Sequence, residues 1–305
     1  MSEDATPVQL GVIGWPLDAT LSPVMQEAAL REVGLDWQYR RIPVAPQDLS
    51  GFIRSASGVM RGLNVTTPHK HAACGLCSSI DDLASACGAV NTLVFGKGAG
   101  TWPAGEAVPP GGHPVSGLNT DGPGLVRALR ERAGFSAGGK VVVVLGAGGS
   151  AAACAAQMAG CGACEITIVN RTRENAEALR MTLGKAFPQI RLATATPAAM
   201  SGSPEVAIER ADLIISCVPG TTAGSFRQII ERARPGTVFM DLAYSSSPVE
   251  MDVIARKLGL RVVPGLEMLL WQGVMSFEIF TGMAAPAGVM RKALVKAAGE
   301  WWLEC

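Results

Sequence analysis

Among the lysines of this chain, Lys70 stands apart by its company. Asn64-Val65-Thr66-Thr67-Pro68-His69-Lys70 reads as the end of a strand passing into a helix, and ligands favour the C-terminal ends of strands in α/β sheets. Pro68 fits the opening of that helix and fixes its backbone angle, so Thr66 and Lys70 are expected to aim at one pocket. A lysine alone is most often a surface charge. Here Asp121, Asn91 and the cluster Thr20-Leu21-Ser22-Pro23 fall at comparable strand or loop ends. An ammonium so placed can stabilise and protonate an oxygen on which negative charge develops, and a nearby carboxylate keeps it charged and oriented.

A second constellation is Gly146-Ala147-Gly148-Gly149-Ser150-Ala151, which fits GxGxxG/A directly after a four-valine strand and at the start of a small-residue helix. In that context Gly146 permits the tight turn, Gly148 lets the backbone approach a pyrophosphate, and Ala151 allows close packing of helix on strand. The phosphates would lie at a helix N-terminus. An NAD site calls for Asp or Glu about 20 residues on, to bind the ribose hydroxyls. That place reads Asn170-Arg171-Thr172-Arg173 instead. Two guanidinium groups favour a 2′-phosphate, because Arg binds phosphate oxygens bidentately, so the expected cofactor is NADP.

The elements that must hold these groups follow a βα rhythm. Strands are expected near Val8–Gly14, Tyr39–Val44, Gly62–Val65 and Thr92–Phe95, and helices near Pro23–Val33 and Pro46–Ser57, giving a largely parallel first sheet. Gly and Pro supply about half of the stretch from Gly96 to Ser116, which reads as an exposed loop or irregular hairpin. A helix from about Pro123 to Ala133 then leads into strands at Lys140–Leu145, Glu165–Val169, Arg191–Ala193, Leu213–Cys217, Val238–Asp241 and Arg261–Val263, which suit a dinucleotide-binding sheet. Two final helices, Leu266–Thr281 and Pro286–Trp302, are expected to pack back on the first domain. The fold class is therefore α/β with two domains. An N-terminal parallel-sheet substrate domain spans 1–121 plus 266–305, and a Rossmann-type NADP-binding domain spans 122–265.

Composition narrows the partners. With 26 basic and 26 acidic residues the formal charge is zero, which offers no electrostatic footprint for nucleic acid or an anionic membrane. The start, Met1-Ser2-Glu3-Asp4, does not resemble a secretory leader, so a cytoplasmic protein is expected. The uncharged run from Val141 to Cys164 is better explained as strand, turn and buried helix than as a membrane span. Eight cysteines include Cys74/Cys77 and Cys161/Cys164, a count that would suit a four-thiolate zinc site, yet their surroundings are not those of a zinc knuckle. Small packing residues in a reducing compartment are the preferred reading, with no metal.

In order and spacing, these residues resemble the shikimate dehydrogenase family over nearly the whole chain. The likeness rests on Gly14-Trp15-Pro16, Thr20-Leu21-Ser22-Pro23, Asn64 to Lys70, Gly88-Ala89-Val90-Asn91-Thr92, Asn119-Thr120-Asp121-Gly122, Gly146 to Ala151, Asn170-Arg171-Thr172 and Gln272. It implies NADPH-dependent, reversible reduction of 3-dehydroshikimate to shikimate in aromatic biosynthesis, by a monomer or homodimer. By matching, Lys70 and Asp121 are the catalytic pair. Thr20, Ser22 and Tyr244 would hold the substrate carboxylate, and Asn64, Thr66, Asn91 and Gln272 the ring hydroxyls. Gly146, Ala147, Gly148, Gly149, Ser150, Ala151, Asn170, Arg171, Thr172, Arg173, Leu242 and Gly265 would bind the cofactor.

The chain departs from the family pattern in four places. Thr20 stands where shikimate-specific members usually have Ser, Ser216-Cys217-Val218-Pro219 replaces an Asn-rich segment, Asn175 replaces an Arg, and Glu267 is unusual where it stands. Thr20 and the altered segment at 216–219 keep open a quinate/shikimate or aminoshikimate dehydrogenase. A non-catalytic ligand-sensing domain is the alternative of another class, against which the intact Lys70 and Asp121 argue.

Overall fold

The computed structural model describes residues 8–18, 20–96, 113–200, 207–219, 226–245, 247 and 249–303. By compactness the chain divides into two units. One comprises Met1–Ser85, Ala89–Thr120 and Gln272–Ala297, the other Ala86–Gly88, Asp121–Trp271 and Ala298–Cys305.

In the first unit the strands are β1 (Val8–Gly14), β2 (Trp37–Pro43), β3 (Met60–Val65), β4 (Ser79–Ile80), β5 (Thr92–Phe95) and β6 (Val115–Leu118), in the order β2-β1-β3-β5-β6-β4. β1 runs parallel to β2 and β3, and β4 runs parallel to β6. Only β5 opposes its neighbours β3 and β6, so the sheet is largely parallel as expected. The Gly/Pro-rich stretch ends in β6, antiparallel to β5, where alternating burial marks a strand that its composition hid. Residues 97–112, the rest of that stretch, lie outside the described residues.

Around this sheet lie α1 (Ser22–Glu32), α2 (Leu49–Ala56), α3 (Lys70–Cys74) and α4 (Asp82–Cys87), with a single 3-10 turn at Pro46–Asp48 before α2. Ile13, Leu63, Val65, Leu93 and Phe95 fill the core between sheet and helices. The long helix α11 (Gly265–Thr281) comes so close to α1 that a Cβ on Gly273 would lie 2.1 Å from Met25 Cε. Gln26 secures the contact by donating from Nε2 to the Gly273 carbonyl at 2.9 Å. After α11 comes α12 (Ala287–Ala298), followed by a 3-10 turn at Glu300–Trp302.

The second unit is built on β7 (Val141–Leu145), β8 (Glu165–Val169), β9 (Arg191–Ala195), β10 (Leu213–Ser216), β11 (Val238–Asp241) and β12 (Arg261–Pro264), all parallel, in the order β12-β11-β10-β7-β8-β9. That is the doubly wound order of dinucleotide-binding sheets, with its switch between β7 and β10. β7, β8, β10 and β11 are buried at every position, as strands covered on both faces must be.

The helices of this unit are α5 (Asp121–Ala133), α6 (Gly149–Gly160), α7 (Arg173–Ala186), α8 (Pro197–Met200), α9 (Arg227–Ile230) and α10 (Glu250–Lys257). The uncharged run from Val141 to Cys164 is β7, turn and α6, and six consecutive residues of α6, Ala151 to Ala156, are wholly buried. No helix among the described residues is long and apolar enough to cross a membrane.

Candidate functional site

In the first unit Asn64, Thr66 and Asn91 lie at one end of the sheet, where β1 and β3 finish and β5 begins. β1 ends in Gly14, where a Cβ would fall 2.5 Å from Thr66 Cγ2, so a side chain there would drive the Thr66 loop away. Backbone bonds from Thr66 to Ile13 at 2.8 Å and from Trp15 to Thr67 at 3.0 Å stitch the loop to β1. The buried His69 ring nitrogen Nε2 lies 2.7 Å from the Val44 carbonyl and ties the loop to the end of β2. Lys70 follows as the first residue of α3 and is 7% exposed. Pro68 does not open the helix as the sequence implied. It lies in the turn, His69 is the N-cap, and the stitched loop fixes the backbone that leads into Lys70.

Asn64, at the end of β3, accepts from the Tyr39 hydroxyl at 2.7 Å and donates to Thr92 Oγ1 at 3.2 Å. Asn91 Nδ2 donates to Thr120 Oγ1 at 2.9 Å, while its Oδ1 accepts from the Thr120 amide at 2.8 Å. Asn119 donates to the Ala89 carbonyl at 2.9 Å. Tyr39, Asn64, Thr92, Asn91 and Thr120 form one buried polar network, beside which Asn119 is tied to the backbone. Sequence reasoning found Asn64 and Asn91 but missed Tyr39, Thr92, Asn119 and Thr120 as their supports. The repeated Asn-Thr pair at 91–92 and 119–120 was the available signal.

Thr20 and Ser22 sit together at the start of α1, with Thr20 Oγ1 3.3 Å from both the Ser22 hydroxyl and the Ser22 amide. Arg41 donates to the Thr20 carbonyl at 2.7 Å. Gln272, also in this unit, lies on α11 and is 9% exposed.

In the second unit Gly146 has φ +111, a conformation that favours glycine, and its amide donates to Val169 at 2.7 Å. A Cβ there would meet the backbone of Cys217 and Val218 Cγ1 at 3.4 Å, which places this turn at the switch between β7 and β10. Gly148 caps α6 in an extended conformation, and a Cβ on it would meet nothing within 4 Å. There is thus open space beside the N-cap of α6, while Ala151 in its first turn is wholly buried. That arrangement fits a pyrophosphate.

Asn170 donates to the Thr172 carbonyl at 2.8 Å, shaping the end of β8. Arg171, Thr172 and Arg173 are exposed beyond it, as a phosphate site open to solvent requires. Asp121, 5% exposed, is the first residue of α5 and belongs to this unit. Leu242 and Tyr244 are half-buried in the segment leaving β11. Gly265 starts α11 against that segment, where a Cβ would lie 2.4 Å from the Asp241 carbonyl oxygen.

The cysteines offer no cluster able to hold a metal among the described residues. Burial pushes the Cys77 thiol up to about 12, with Cys74 adding to it, so Cys77 stays protonated at neutral pH. Glu267, without an account in the sequence, is wholly buried and pairs with Arg132 Nε on α5 at 3.7 Å.

Family models described as the shikimate dehydrogenase substrate binding domain, shikimate / quinate 5-dehydrogenase, and the shikimate 5′-dehydrogenase C-terminal domain match residues 12–93, 129–253 and 265–295. The chain is 35% identical to a shikimate dehydrogenase (NADP(+)) of Methanopyrus kandleri, over 97% of this chain and 98% of the relative. A solved shikimate dehydrogenase in complex with NADP+ superposes with a TM-score of 0.78 at 30% identity, covering 96% of both chains. A quinate dehydrogenase from Corynebacterium glutamicum in complex with NAD gives a TM-score of 0.79 at 26% identity, covering 95% of this chain and 99% of that one.

Proposed function

The chain belongs to the shikimate dehydrogenase family, and from that premise we infer that its NADP-dependent interconversion of 3-dehydroshikimate and shikimate runs through Lys70 and Asp121. NADPH, when bound, supplies the hydride. Lys70 gives its proton to the carbonyl oxygen as alkoxide charge builds there, and its ammonium stabilises that charge beforehand. Asp121 keeps the ammonium charged and oriented. The observation that carries this reading is a lysine 7% exposed at a strand end, beside a network of amides and hydroxyls already bonded to one another.

Asn64, Thr66, Asn91 and Gln272 bind the ring hydroxyls, and Thr20, Ser22 and Tyr244 bind the carboxylate. Analogues lacking those hydroxyls forfeit these bonds and bind less tightly. Gly146 to Ala151 seat the pyrophosphate, Arg171 and Arg173 take the 2′-phosphate, and Asn170, Thr172, Leu242 and Gly265 complete the cofactor's surroundings. Residues 1–121 with 266–305 act as the substrate domain and 122–265 as the cofactor domain, functional bounds that differ from the compact units at 86–88, at Asp121 and at 266–271 and 298–305, all of which group with the second unit. The described cysteines are all free thiols, which supports work in the reducing cytoplasm, as a monomer or homodimer.

Steady-state assays of shikimate and quinate, each with NADP+ and NAD+, test the assignment. The highest kcat/KM is expected for shikimate with NADP+. A preference for NAD+ overturns the role of Arg171 and Arg173. Preference for quinate favours the second reading, for which Thr20 and the likeness to the quinate enzyme speak.

A further inference from the structure

Two buried carboxyls take no part in the chemistry above. Asp241 ends β11 and is 1% exposed, while Asp252, in the first turn of α10, is 0% exposed. Among the described residues neither oxygen of Asp252 has a hydrogen-bond partner, nor does Oδ2 of Asp241. Carboxyls in that condition take up a proton rather than hold a charge in a medium that cannot solvate it.

Each element packed around the pair contributes something. β10 brings Ser216, wholly buried and in register with Asp241, whose hydroxyl biases Asp241 toward its charged form without a hydrogen bond of normal geometry. β12 brings the buried Val262 and Val263 and the exposed Arg261. On α10 itself Glu250, Arg256 and Lys257 are exposed, and Arg256 alone of them draws Asp252 toward ionisation.

Asp241 also has a structural task. Its Oδ1 accepts the Ala243 amide at 3.1 Å, and the Leu242 amide donates to the Ser216 carbonyl at 2.8 Å. Together these bonds set the turn that leaves β11 and delivers Leu242 and Tyr244. Gly265 confines the same turn from α11, with no room there for a Cβ.

We propose that Asp241 is a positioning residue for the Leu242–Tyr244 turn, and that Asp252 faces it as a proton-holding partner, so that the setting of the turn follows pH. The proposal rests on the reading in which Leu242 meets the cofactor and Tyr244 the substrate. Burial pushes Asp241 up to about 6, and burial followed by the Asp241 charge pushes Asp252 up to about 7. Between those values the pair carries one proton. Ionised Asp241 then grips Ala243 while Asp252 stays neutral. At higher pH two like charges stand together in a dry site, and the turn is the part able to relieve them.

The chain has two tyrosines, Tyr39 and Tyr244. Ring-labelled tyrosine therefore gives two sets of NMR signals, assigned with Tyr39→Phe. Tyr39, buried and bonded to Asn64, is the internal reference. The Tyr244 signal is expected to move as pH rises through neutrality while that of Tyr39 stays put. In Asp252→Asn, which fixes the partner as neutral, the step near 7 should be lost. Asp241→Asn should displace the Tyr244 signal at every pH and raise KM for shikimate and NADP+ more than it changes kcat. Should that variant not fold, Asp252→Asn carries the test. A Tyr244 signal indifferent to pH, or one titrating identically in Asp252→Asn, overturns the proposal. The NMR arm needs no turnover, so failure of the catalytic assignment would leave it readable, and a flat NMR titration beside normal catalysis sinks this inference alone.

Discussion

Lys70 is held by backbone contacts on either side of it. The His69 amide donates to Thr66, and the Val90 amide donates to the Lys70 carbonyl at 3.0 Å, so the ammonium can be removed without loosening the loop that carries it. Lys70→Ala is expected to lower kcat by about 10²–10⁴-fold, the usual worth of a positioned acid/base, while KM for shikimate stays close to wild type. Steady-state kinetics decide the matter, and near-normal turnover would remove Lys70 from the role. The buried Asp252 makes a separate prediction, about stability. Its folded pKa of about 7 lies above the ordinary value of 3.8, so the folded chain binds that proton more tightly than the unfolded chain does. Stability from this group is full below the ordinary value, falls as pH climbs toward about 7, and is flat beyond. Asp252→Asn removes that fall. Its melting temperature should exceed wild type by more at about pH 8 than at about pH 5. Equal differences at both would show that Asp252 is charged in the folded protein throughout.

The turn between β7 and α6 separates two kinds of glycine. Gly146 needs its φ of +111 and is hemmed in by Cys217 and Val218, so Gly146→Ala strains the backbone as well as crowding it and should cost about 1–2 kcal/mol of stability. Gly148 has φ −84 and open space where a Cβ would go. Gly148→Ala should therefore leave the melting temperature unchanged and, if the proposed site holds the cofactor, raise KM for NADP+, because the methyl would enter the space a pyrophosphate takes there. A variant with unchanged KM would argue that no phosphate approaches this backbone. Such local signals explain what could be read from sequence. β7, β8, β10 and β11 are continuous apolar runs bounded by turns, and their positions were legible to within a residue. β4 and β6 were not, since two exposed residues and a Gly-Pro-rich approach give no periodicity. The supports Tyr39 and Thr120 escaped for a different reason. They reach Asn64 and Asn91 only through pairings some 25 to 29 residues apart in sequence, which no local pattern encodes.

Across the whole molecule, the chain touches the second unit at Ala86–Gly88, enters it at Asp121, leaves it within α11 between Trp271 and Gln272, and returns to it at Ala298. An arginine side chain fastens the returning segment inside the second unit. Arg132, near the end of α5, donates to the Leu303 carbonyl at 2.9 Å and pairs with Glu267 in the first turn of α11. Trp302, wholly buried, lies in the segment so fastened. Arg127, earlier on α5, stacks 3.6 Å over the Trp271 ring, adding a second tie from α5 to α11. Glu267 is thus a structural counter-ion, and its oddity against the family pattern follows from the arginine it meets. Arg132→Met should destabilise by about 3 kcal/mol, at the low end for breaking a buried pair because Arg132 is itself 24% exposed. Adding Glu267→Gln should restore part of the loss, since the double variant no longer buries a carboxylate deprived of that cation. Chemical denaturation of the two variants and wild type measures both effects. If the double variant proves less stable than Arg132→Met alone, Glu267 owes its place to other contacts and the fastening works through the Leu303 carbonyl.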